Sequence, residues 1–362
     1  MAISRFSRRN FITSVAAGAT TMANFNPLQG FASIIPEEQG DAPDRQIRIL
    51  STSNFSAAEQ EKIRSVSKNI DLQVVPDAKS SALEEAEVVI GNIDGSVLQR
   101  ATKLKWVQVL HAGVENMPKE MIAHPLVLTN MQRIFAPVIA ETAIALLLSL
   151  TRGLVQFAIP NFQQKKWDGD PPDDIKLDDL YNKTIGIVGM GGIGSETARR
   201  LHHGFNMRVL ATDAKALPKP DFVEELHDPT WFMEMVPKVD VLMSAAPLTK
   251  QTREMFNDEV FSKMKPSSYF INVSRGGLVK QEALVDALKS KKIRGAGLDV
   301  VSPEPLPADN PLWTCPNLVI TAHNSGSADS RYERMFGLVI ENVRRYSLGL
   351  PLMNVVDKEK GY

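Results

Sequence analysis

The feature that most constrains this chain of 362 residues is a glycine-rich turn near its middle. Residues 184–188, TIGIV, form a short, apolar and largely β-branched run, which predicts a buried strand. The segment GMGGIG (189–194) and then a run of helix-forming residues follow directly, so G-x-G-x-x-G stands between a strand and a helix. That context predicts a turn that binds the diphosphate of a dinucleotide at the start of a helix.

The glycines of this turn meet different demands. Gly189 allows the sharp turn after the strand, Gly191 lets a pyrophosphate approach the backbone, and Gly194 lets the helix pack closely on the strand. Gly192 and Ile193 stand at the helix start, where free N–H groups and the positive end of the helix dipole attract an anion. We therefore predict that all five residues bind a dinucleotide cofactor.

A second predicted strand (207–212) ends at Asp213, which stands about 20 positions after Gly194, the spacing expected of the acid that binds a ribose 2′-hydroxyl. A carboxylate at this point repels a 2′-phosphate, so NAD is favoured over NADP, although Lys215 lies nearby. The alternative is a glycine turn in another kind of α/β sheet, with Asp213 as an ordinary loop acid.

Strand-like and helix-like segments alternate along the rest of the chain. Predicted strands at 47–51, 72–75, 88–90, 106–110 and 126–128 precede the glycine turn, and the region from 184 to 321 contains six more. Helices are predicted at 56–69, 136–154 and 329–346. This alternation predicts an α/β protein with two Rossmann-like or flavodoxin-like doubly wound parallel-sheet domains and a cleft between them.

The overall composition is that of an ordinary globular protein, with 43% hydrophobic and 23% charged residues and a formal net charge of −1. Such a balance gives no indication of nucleic-acid binding. A single cysteine, Cys315, excludes an internal disulfide framework and a multi-cysteine metal site, and we interpret it as a packed thiol. No metal is predicted.

The amino terminus has the pattern of an export signal. Residues 7–12, SRRNFI, resemble the twin-arginine motif, and a mildly apolar segment without acidic residues follows. We predict a twin-arginine signal peptide over 1–32, cleaved near Ala32, then a linker over 33–45, with the export machinery as a partner and a periplasmic location. The segment is too short and too rich in Thr, Gly and Ala for a stable membrane anchor. The alternative is a basic extension on a cytoplasmic enzyme.

Three polar residues each follow a predicted strand of the second domain, at the edge of the sheet where open α/β folds bind ligands. They are Arg275 in NVSRGG, Glu304 in DVVSPEP and His323 in TAHNSG. An arginine, a carboxylate and an imidazole are suited to anion binding and proton transfer. The alternatives are a surface arginine, a loop acid and, for a histidine considered alone, a structural residue.

The blocks that carry these residues are similar to the D-isomer-specific 2-hydroxyacid dehydrogenase family, especially its glyoxylate/hydroxypyruvate reductase-like members. The resemblance covers nearly the whole chain after residue 32. It implies an NAD-dependent reductase of small 2-oxo acids, which forms a homodimer. It also implies a substrate domain of residues 46–135 plus 327–362 and an NAD-binding domain of residues 136–326. The matching blocks are GIVGMGGIG, AAPLTKQTR, INVSRGGLV, GAGLDVVSPEPLP and VITAHNSGS.

The resemblance also implies a role for each residue of the site. Arg275 would hold the substrate carboxylate, His323 would be the general acid or base, and Glu304 would orient the imidazole and stabilise its charged form. A loop of Ala112, Gly113 and Val114 would bind the substrate together with Arg275 and His323. Further positions would line the cofactor, namely Pro247, Thr252, Val273, Ser274, Asp299 and Gly326.

Some positions depart from the family pattern. Arg133 stands where relatives often have glycine, Thr142 where a histidine is common, and His111 where the residue is usually small. His111 is therefore a candidate for a substrate contact, with simple packing as the alternative. The reaction type is better determined than the substrate. Two alternatives stay open, an exported NAD-binding sensor with little turnover and a different chemistry on the same scaffold, such as formate oxidation.

Overall fold

The computed structural model describes residues 45–114, 117–172 and 175–361. The predicted signal peptide (1–32) and all of the predicted linker except Arg45 lie outside these ranges.

The first part of the chain forms a parallel sheet of five strands among the described residues, in the order β2-β1-β3-β4-β5. Most of these strands are short apolar runs, because helices cover both faces of a parallel sheet and bury the side chains on both. Strands β1 to β5 are, in order, Ile47–Ser51, Ile70–Val74, Val88–Ile90, Trp106–Gln108 and Val127–Thr129.

The second part forms a parallel sheet of seven strands within the described ranges, in the order β12-β11-β10-β9-β6-β7-β8. Strand β6, which leads into the glycine turn, lies inside this sheet, and the strand order reverses beside it. Strands β6 to β12 are, in order, Thr184–Val188, Arg208–Thr212, Glu225–His227, Val241–Ser244, Tyr269–Asn272, Gly295–Leu298 and Leu318–Ile320.

Helices connect these strands and cover the sheets. The described residues contain the α-helices α1 to α10, which are Ala57–Arg64, Gly95–Leu98, Lys119–Ala123, Ala136–Thr151, Ile159–Gln163, Gly192–Phe205, Phe232–Met235, Asp258–Lys263, Gln281–Lys289 and Arg331–Ser347. Short 3₁₀ turns occur at Ser81–Glu85, Pro229–Trp231, Val236–Lys238, Gly276–Leu278 and Pro311–Thr314, and a π-helical turn at Leu154–Ala158.

The parallel α/β architecture predicted from the sequence is confirmed, but some of its details were wrong. The second sheet has seven strands and not six, because β8 is a three-residue, partly exposed edge strand without a continuous apolar run. The predicted helix 56–69 ends at Arg64, and the predicted helix 136–154 ends at Thr151, just before Gly153 with φ +62°. A glycine in this left-handed conformation is a common way to end a helix.

Two helices show how the sheets are covered. Buried residues of α4, including Leu146 and Leu150, pack in one core with residues of the seven-stranded sheet. Helix α10 follows the last strand of that sheet, yet its buried residues, such as Leu338 and Val343, pack against β1 and β4 of the five-stranded sheet. The carboxyl-terminal part of the chain therefore completes the core of the first sheet.

No single helix in the described ranges has the length and apolar character needed to cross a membrane. Taken together, α4 and the segment Leu154–Gln163 have sufficient length and apolar composition, but the pair is bent by 58° at its junction.

Candidate active site

The glycine turn has the close contacts that its sequence predicts. Gly189 has φ +98°, and a Cβ at this position would lie 2.8 Å from the carbonyl group of Ala245. A Cβ at Gly194 would lie only 2.0 Å from the carbonyl oxygen of Gly189, so the start of α6 packs directly on the turn. By contrast, a Cβ at Gly191 would meet no described atom within 4 Å. The turn is therefore crowded on its protein side and open on the other.

The open side suits the diphosphate of a dinucleotide. Helix α6 begins at Gly192. Its N-cap residue is Gly191, so within the described residues the helix has no side-chain N-cap hydrogen bond. The first N–H groups of a helix have no intrahelical acceptor, and the helix dipole adds positive potential there. Gly191, Gly192 and Ile193 thus fit a dinucleotide phosphate group as binding residues.

Asp213 follows β7 and lies against the same turn. Its Oδ2 accepts the N–H of Met190 at 2.7 Å, and its Oδ1 accepts the N–H of Lys215 at 2.7 Å. Each carboxylate oxygen has more than one lone pair, so both oxygens can also accept hydroxyl groups of a ribose. The contact with Met190 joins the acid to the glycine turn, which is the arrangement expected of a dinucleotide site.

The other predicted cofactor positions follow neighbouring strands at the same edge of the sheet. After β9, the hydroxyl of Thr252 donates to the carbonyl oxygen of Pro247 at 2.7 Å. After β10, Val273 is buried, and the hydroxyl of Ser274 lies 2.8 Å from that of Ser244. Gly326 lies beyond β12. These residues share the carboxyl edge of the sheet, and their contact with cofactor stays a prediction.

Asp299, after β11, is buried and directs its carboxylate at the loop after β12. Its Oδ1 accepts the hydroxyl of Thr321 at 2.6 Å and the N–H groups of Asn324 at 3.1 Å and Ser325 at 3.2 Å. Its carbonyl oxygen accepts the N–H of His323 at 2.8 Å. The predicted cofactor-lining role of Asp299 is not tested by these contacts, which show that it shapes the His323 loop.

His323 and Glu304 are brought together. The Nδ1 atom of His323 lies 2.7 Å from Oε2 of Glu304, and Oε1 of Glu304 accepts the N–H of Val301 at 3.0 Å. An ionised carboxylate only accepts hydrogen bonds, so the proton of this contact resides on Nδ1 and Nε2 is the second ring nitrogen. Both side chains are more than a third exposed, so the pair adds little to stability and chiefly orients the ring.

Arg275 stands three residues after the end of β10, and its Nη1 donates to the carbonyl oxygen of Ser274 at 2.7 Å. A cavity of about 480 Å³ is lined by Arg275 and by residues of the five-stranded part, among them Asn92, His111, Gly113 and Met121. The cavity therefore joins a cation from the second sheet to a loop from the first.

The predicted substrate loop reaches this cavity through Gly113. The carbonyl oxygen of Ala112 accepts the side-chain amide of Asn130 at 2.7 Å, and Val114 packs against the core of the five-stranded sheet. His111 also lines the cavity, and its Nδ1 lies 2.7 Å from the carbonyl oxygen of Gly113. A carbonyl oxygen only accepts, so His111 carries a proton on Nδ1.

The backbone that follows Arg275 touches the segment that carries Glu304. A Cβ at Gly276 would lie 1.8 Å from the carbonyl oxygen of Val301, so only glycine allows this approach. Because His323 contacts Glu304 in turn, the loops after β10, β11 and β12 form one continuous surface.

Asn272 is a supporting residue that the sequence interpretation missed. It is fully buried at the end of β10, where its Nδ2 donates to the carbonyl oxygen of Arg275 at 3.0 Å. Its Oδ1 accepts the hydroxyl of Ser274 at 2.9 Å. A polar residue that ends an apolar strand, three positions before the predicted anion-binding residue Arg275, was the available signal. The packed-thiol interpretation of Cys315 agrees with the structure, where burial raises the pKa of its thiol.

Comparison with known proteins decides the family. Residues 144–325, half of the chain, match the model described as D-isomer specific 2-hydroxyacid dehydrogenase, NAD binding domain. A protein of Yersinia enterocolitica named glyoxylate/hydroxypyruvate reductase B is 34% identical over 287 residues, which are 77% of this chain and 86% of that protein. The chain belongs to the D-isomer-specific 2-hydroxyacid dehydrogenase family.

Solved structures agree with the architecture of this family. D-lactate dehydrogenase with NAD⁺ from Lactobacillus jensenii is 25% identical, with a TM-score of 0.66, and the match covers 86% of this chain and all of that one. An acyclic imino acid reductase in complex with NADPH and D-Arg shares the fold, with 22% identity, a TM-score of 0.71 and the same coverage. Membership of the family makes this dehydrogenase an NAD-binding oxidoreductase, for which NADP is also possible.

Proposed function

We propose that this dehydrogenase uses NADH to reduce a small 2-oxo acid to the D-2-hydroxy acid, with glyoxylate and hydroxypyruvate as the first substrates to test, and that it also catalyses the reverse oxidation. The observation that carries the proposal is the 2.7 Å contact between His323 Nδ1 and Glu304 Oε2 beside the cofactor sheet. The name of the Yersinia enterocolitica relative supports the choice of substrates.

Arg275 would bind the substrate carboxylate. Its guanidinium is planar and matches a carboxylate with two parallel hydrogen bonds, and it lines the cavity beside Gly113. The contact between Nη1 and the carbonyl oxygen of Ser274 orients this side chain. The carboxylate would then lie between an arginine of the second sheet and a loop of the first.

His323 would move the proton. Bound NADH supplies a hydride to C2 of the substrate. Nε2 of a protonated His323 would donate to the carbonyl oxygen, while Glu304 keeps the ring in place through Nδ1 and stabilises the imidazolium. In the reverse direction the neutral imidazole would accept the proton of the 2-hydroxyl group.

The direct test is the decay of NADH absorbance with glyoxylate, hydroxypyruvate and pyruvate. We expect turnover with at least one of them and a loss of roughly 10²–10⁴ in turnover for His323→Ala. His203→Ala is the control, because this exposed histidine lies in the last turn of α6. Near-normal activity of His323→Ala would contradict the proton role.

The same assay separates the two alternative functions. Tight NADH binding without turnover of any 2-oxo acid would favour a sensor, and reduction of NAD⁺ by formate would indicate formate oxidation.

Asp213 would set the preference for NAD over NADP, because a carboxylate beside the glycine turn would repel a 2′-phosphate. We expect Asp213→Ala to raise kcat/KM with NADPH relative to NADH. An unchanged ratio would show that another group makes the selection.

We also propose the division into a substrate domain of residues 46–135 plus 327–362 and an NAD-binding domain of residues 136–326. Its support is the packing of α10 in the core of the first sheet and of α4 on the second. Limited proteolysis, with mass spectrometry of the fragments, tests these boundaries, and cuts inside a sheet before any cut between the sheets would contradict them.

A homodimer is proposed because the segment after α4 exposes several large apolar side chains, among them Ile159, Phe162 at 83% and the fully exposed Trp167. Contiguous exposed apolar surface commonly marks an interface, and a second copy of this chain would cover it. Light scattering after size exclusion should give a dimer, and Phe162→Glu with Trp167→Glu should give a monomer. A monomeric parent protein would contradict the proposal.

Export to the periplasm is likewise proposed, from the arginine pair Arg8 and Arg9 before an apolar segment. A mature protein that begins near Ser33 would support it. Unchanged localisation of the Arg8→Lys/Arg9→Lys variant would contradict it and favour a cytoplasmic enzyme.

A further inference from the structure

Arg133 has an unusual backbone conformation immediately before α4. Its φ is +71°, in the left-handed region that L-residues with a long side chain rarely adopt. Its carbonyl oxygen accepts the N–H of Ala136, the first residue of α4, at 3.1 Å, so the strained residue lies in the turn that leads into the helix. Non-glycine residues in this region cost conformational free energy and cluster at functional sites, which makes the surroundings of Arg133 informative.

Arg133 lies against the start of α6 through its Cα and Cγ atoms. A Cβ at Gly192 would lie 2.9 Å from Cγ of Arg133 and 3.0 Å from its Cα. Gly192 is the first residue of the helix whose amino end fits the diphosphate. Arg133, with its left-handed backbone, thus packs against the residue that follows Gly191 in the glycine turn.

The charges around Arg133 are consistent with this position. Partial desolvation lowers the pKa of its guanidinium, and the neighbouring carboxylate of Asp213 opposes that effect. An arginine stays protonated under such a shift, so it keeps its positive charge. The residue lies against Gly192, the first residue of α6, where a cation and the helix dipole together favour an anion.

We propose that Arg133 is a cofactor-binding residue, whose guanidinium contacts the diphosphate of the dinucleotide opposite the N–H groups of the glycine turn. The proposal rests on binding of a dinucleotide and is independent of which 2-oxo acid is reduced. Arg133 would therefore act on the affinity for cofactor, and the His323 pair would act on the chemical step.

The test is the dissociation constant of NADH and of ADP-ribose, measured by fluorescence or calorimetry with the purified full-length protein. Arg133→Gly should weaken both by roughly tenfold or more, because a charge-assisted hydrogen bond is lost. AMP, which lacks the diphosphate, should bind almost equally to parent and variant. Arg133→Lys should retain part of the affinity, and the difference between parent and Arg133→Gly should shrink at high salt.

Lys291→Gly is the matched control, because Lys291 is an exposed cation with φ +57° after α9. It should leave the affinity for NADH unchanged. Thermal melting of the cofactor-free variants checks that each one is folded. If the glycine variant melts early, the measurement is repeated with Arg133→Asn, because asparagine is uncharged and tolerates the same backbone conformation. Unchanged NADH affinity in a folded, uncharged variant would overturn the proposal, and so would a loss confined to NADPH.

Discussion

The glycine turn after β6 and the carboxyl ends of β4 and β5 occupy equivalent places in their two sheets, but they are built differently. The turn consists of neighbouring residues, and its closest contact joins Gly194 to Gly189. At the other sheet, Gln108 and Thr129 end their strands fully buried, and Asn342 of α10, 234 positions away from Gln108, completes their hydrogen bonds. The first structure is local and is the proposed cofactor site, whereas the second is assembled over a long range and supports the fold.

The largest effect is expected at the turn, from Gly194→Ala. The new Cβ would overlap the carbonyl oxygen of Gly189, so the turn must move, and we expect a loss of about 3 kcal/mol in unfolding free energy together with most of the NADH affinity. Gly191→Ala is the matched variant, because its Cβ points into open space. It should lose NADH binding with a stability change of about 1 kcal/mol or less. Denaturant unfolding and NADH titration measure both properties, and equal stability of the two variants would contradict the crowding argument.

A somewhat smaller effect is expected from Asn342→Leu, and it should be confined to stability. The amide donates to Gln108 Oε1 at 2.8 Å and to the carbonyl oxygen of Met353, and it accepts the N–H of Met353 at 2.8 Å. Leucine removes the hydrogen-bond partner of the Met353 backbone groups and leaves Gln108 Oε1 with the hydroxyl of Thr129 alone, at a cost of about 2 kcal/mol. Chemical denaturation should show the loss with an unchanged dissociation constant for NADH, and exposed Glu333→Ala on the same helix is the control. Loss of NADH binding would show that the two regions are coupled.

The smallest effect is expected at Glu87, whose carboxylate accepts hydrogen bonds from Arg45 and from the hydroxyl of Tyr346 in α10. Desolvation raises the pKa of Glu87, but hydrogen bonds from Arg45 and Tyr346 outweigh it, so the pKa is lowered overall. A lowered carboxyl pKa stabilises the fold above the unfolded value near pH 4.5, and this stabilisation is lost as the pH falls through the folded value.

Glu87→Gln should therefore lower the unfolding free energy by about 1 kcal/mol at neutral pH. The difference from the parent should vanish in acid. Unfolding curves from pH 3 to pH 7 check this, and a difference that does not change with pH would contradict the assigned role of the charge.

The local features could be predicted from the sequence. The glycine turn and the strands that flank it follow from consecutive residues, and their observed contacts agree with the prediction. The contact between Glu304 and His323 was expected from the resemblance of their sequence blocks, and the 2.7 Å distance agrees with it. The roles of these residues in catalysis stay predictions.

Other features could not be predicted in this way. Strand β8 is too short and too polar to give a pattern, and the exposed edge that it forms depends on pairing with β7. The carboxylate of Asp299 reaches the loop after β12 only because β11 and β12 are neighbours in the folded sheet. The place of Arg133 against Gly192 follows from the packing of the segment before α4 on the start of α6, which no spacing in the sequence encodes.

The sequence by itself determined the parallel α/β class and the position of the glycine turn, because each of these depends on runs of a few neighbouring residues. The tertiary structure alone decided which sheet α10 completes, which loop Asp299 holds and which residue packs against Gly192. These outcomes depend on contacts between segments up to hundreds of residues apart, where packing and buried hydrogen bonds, and not local conformational preference, select the partner.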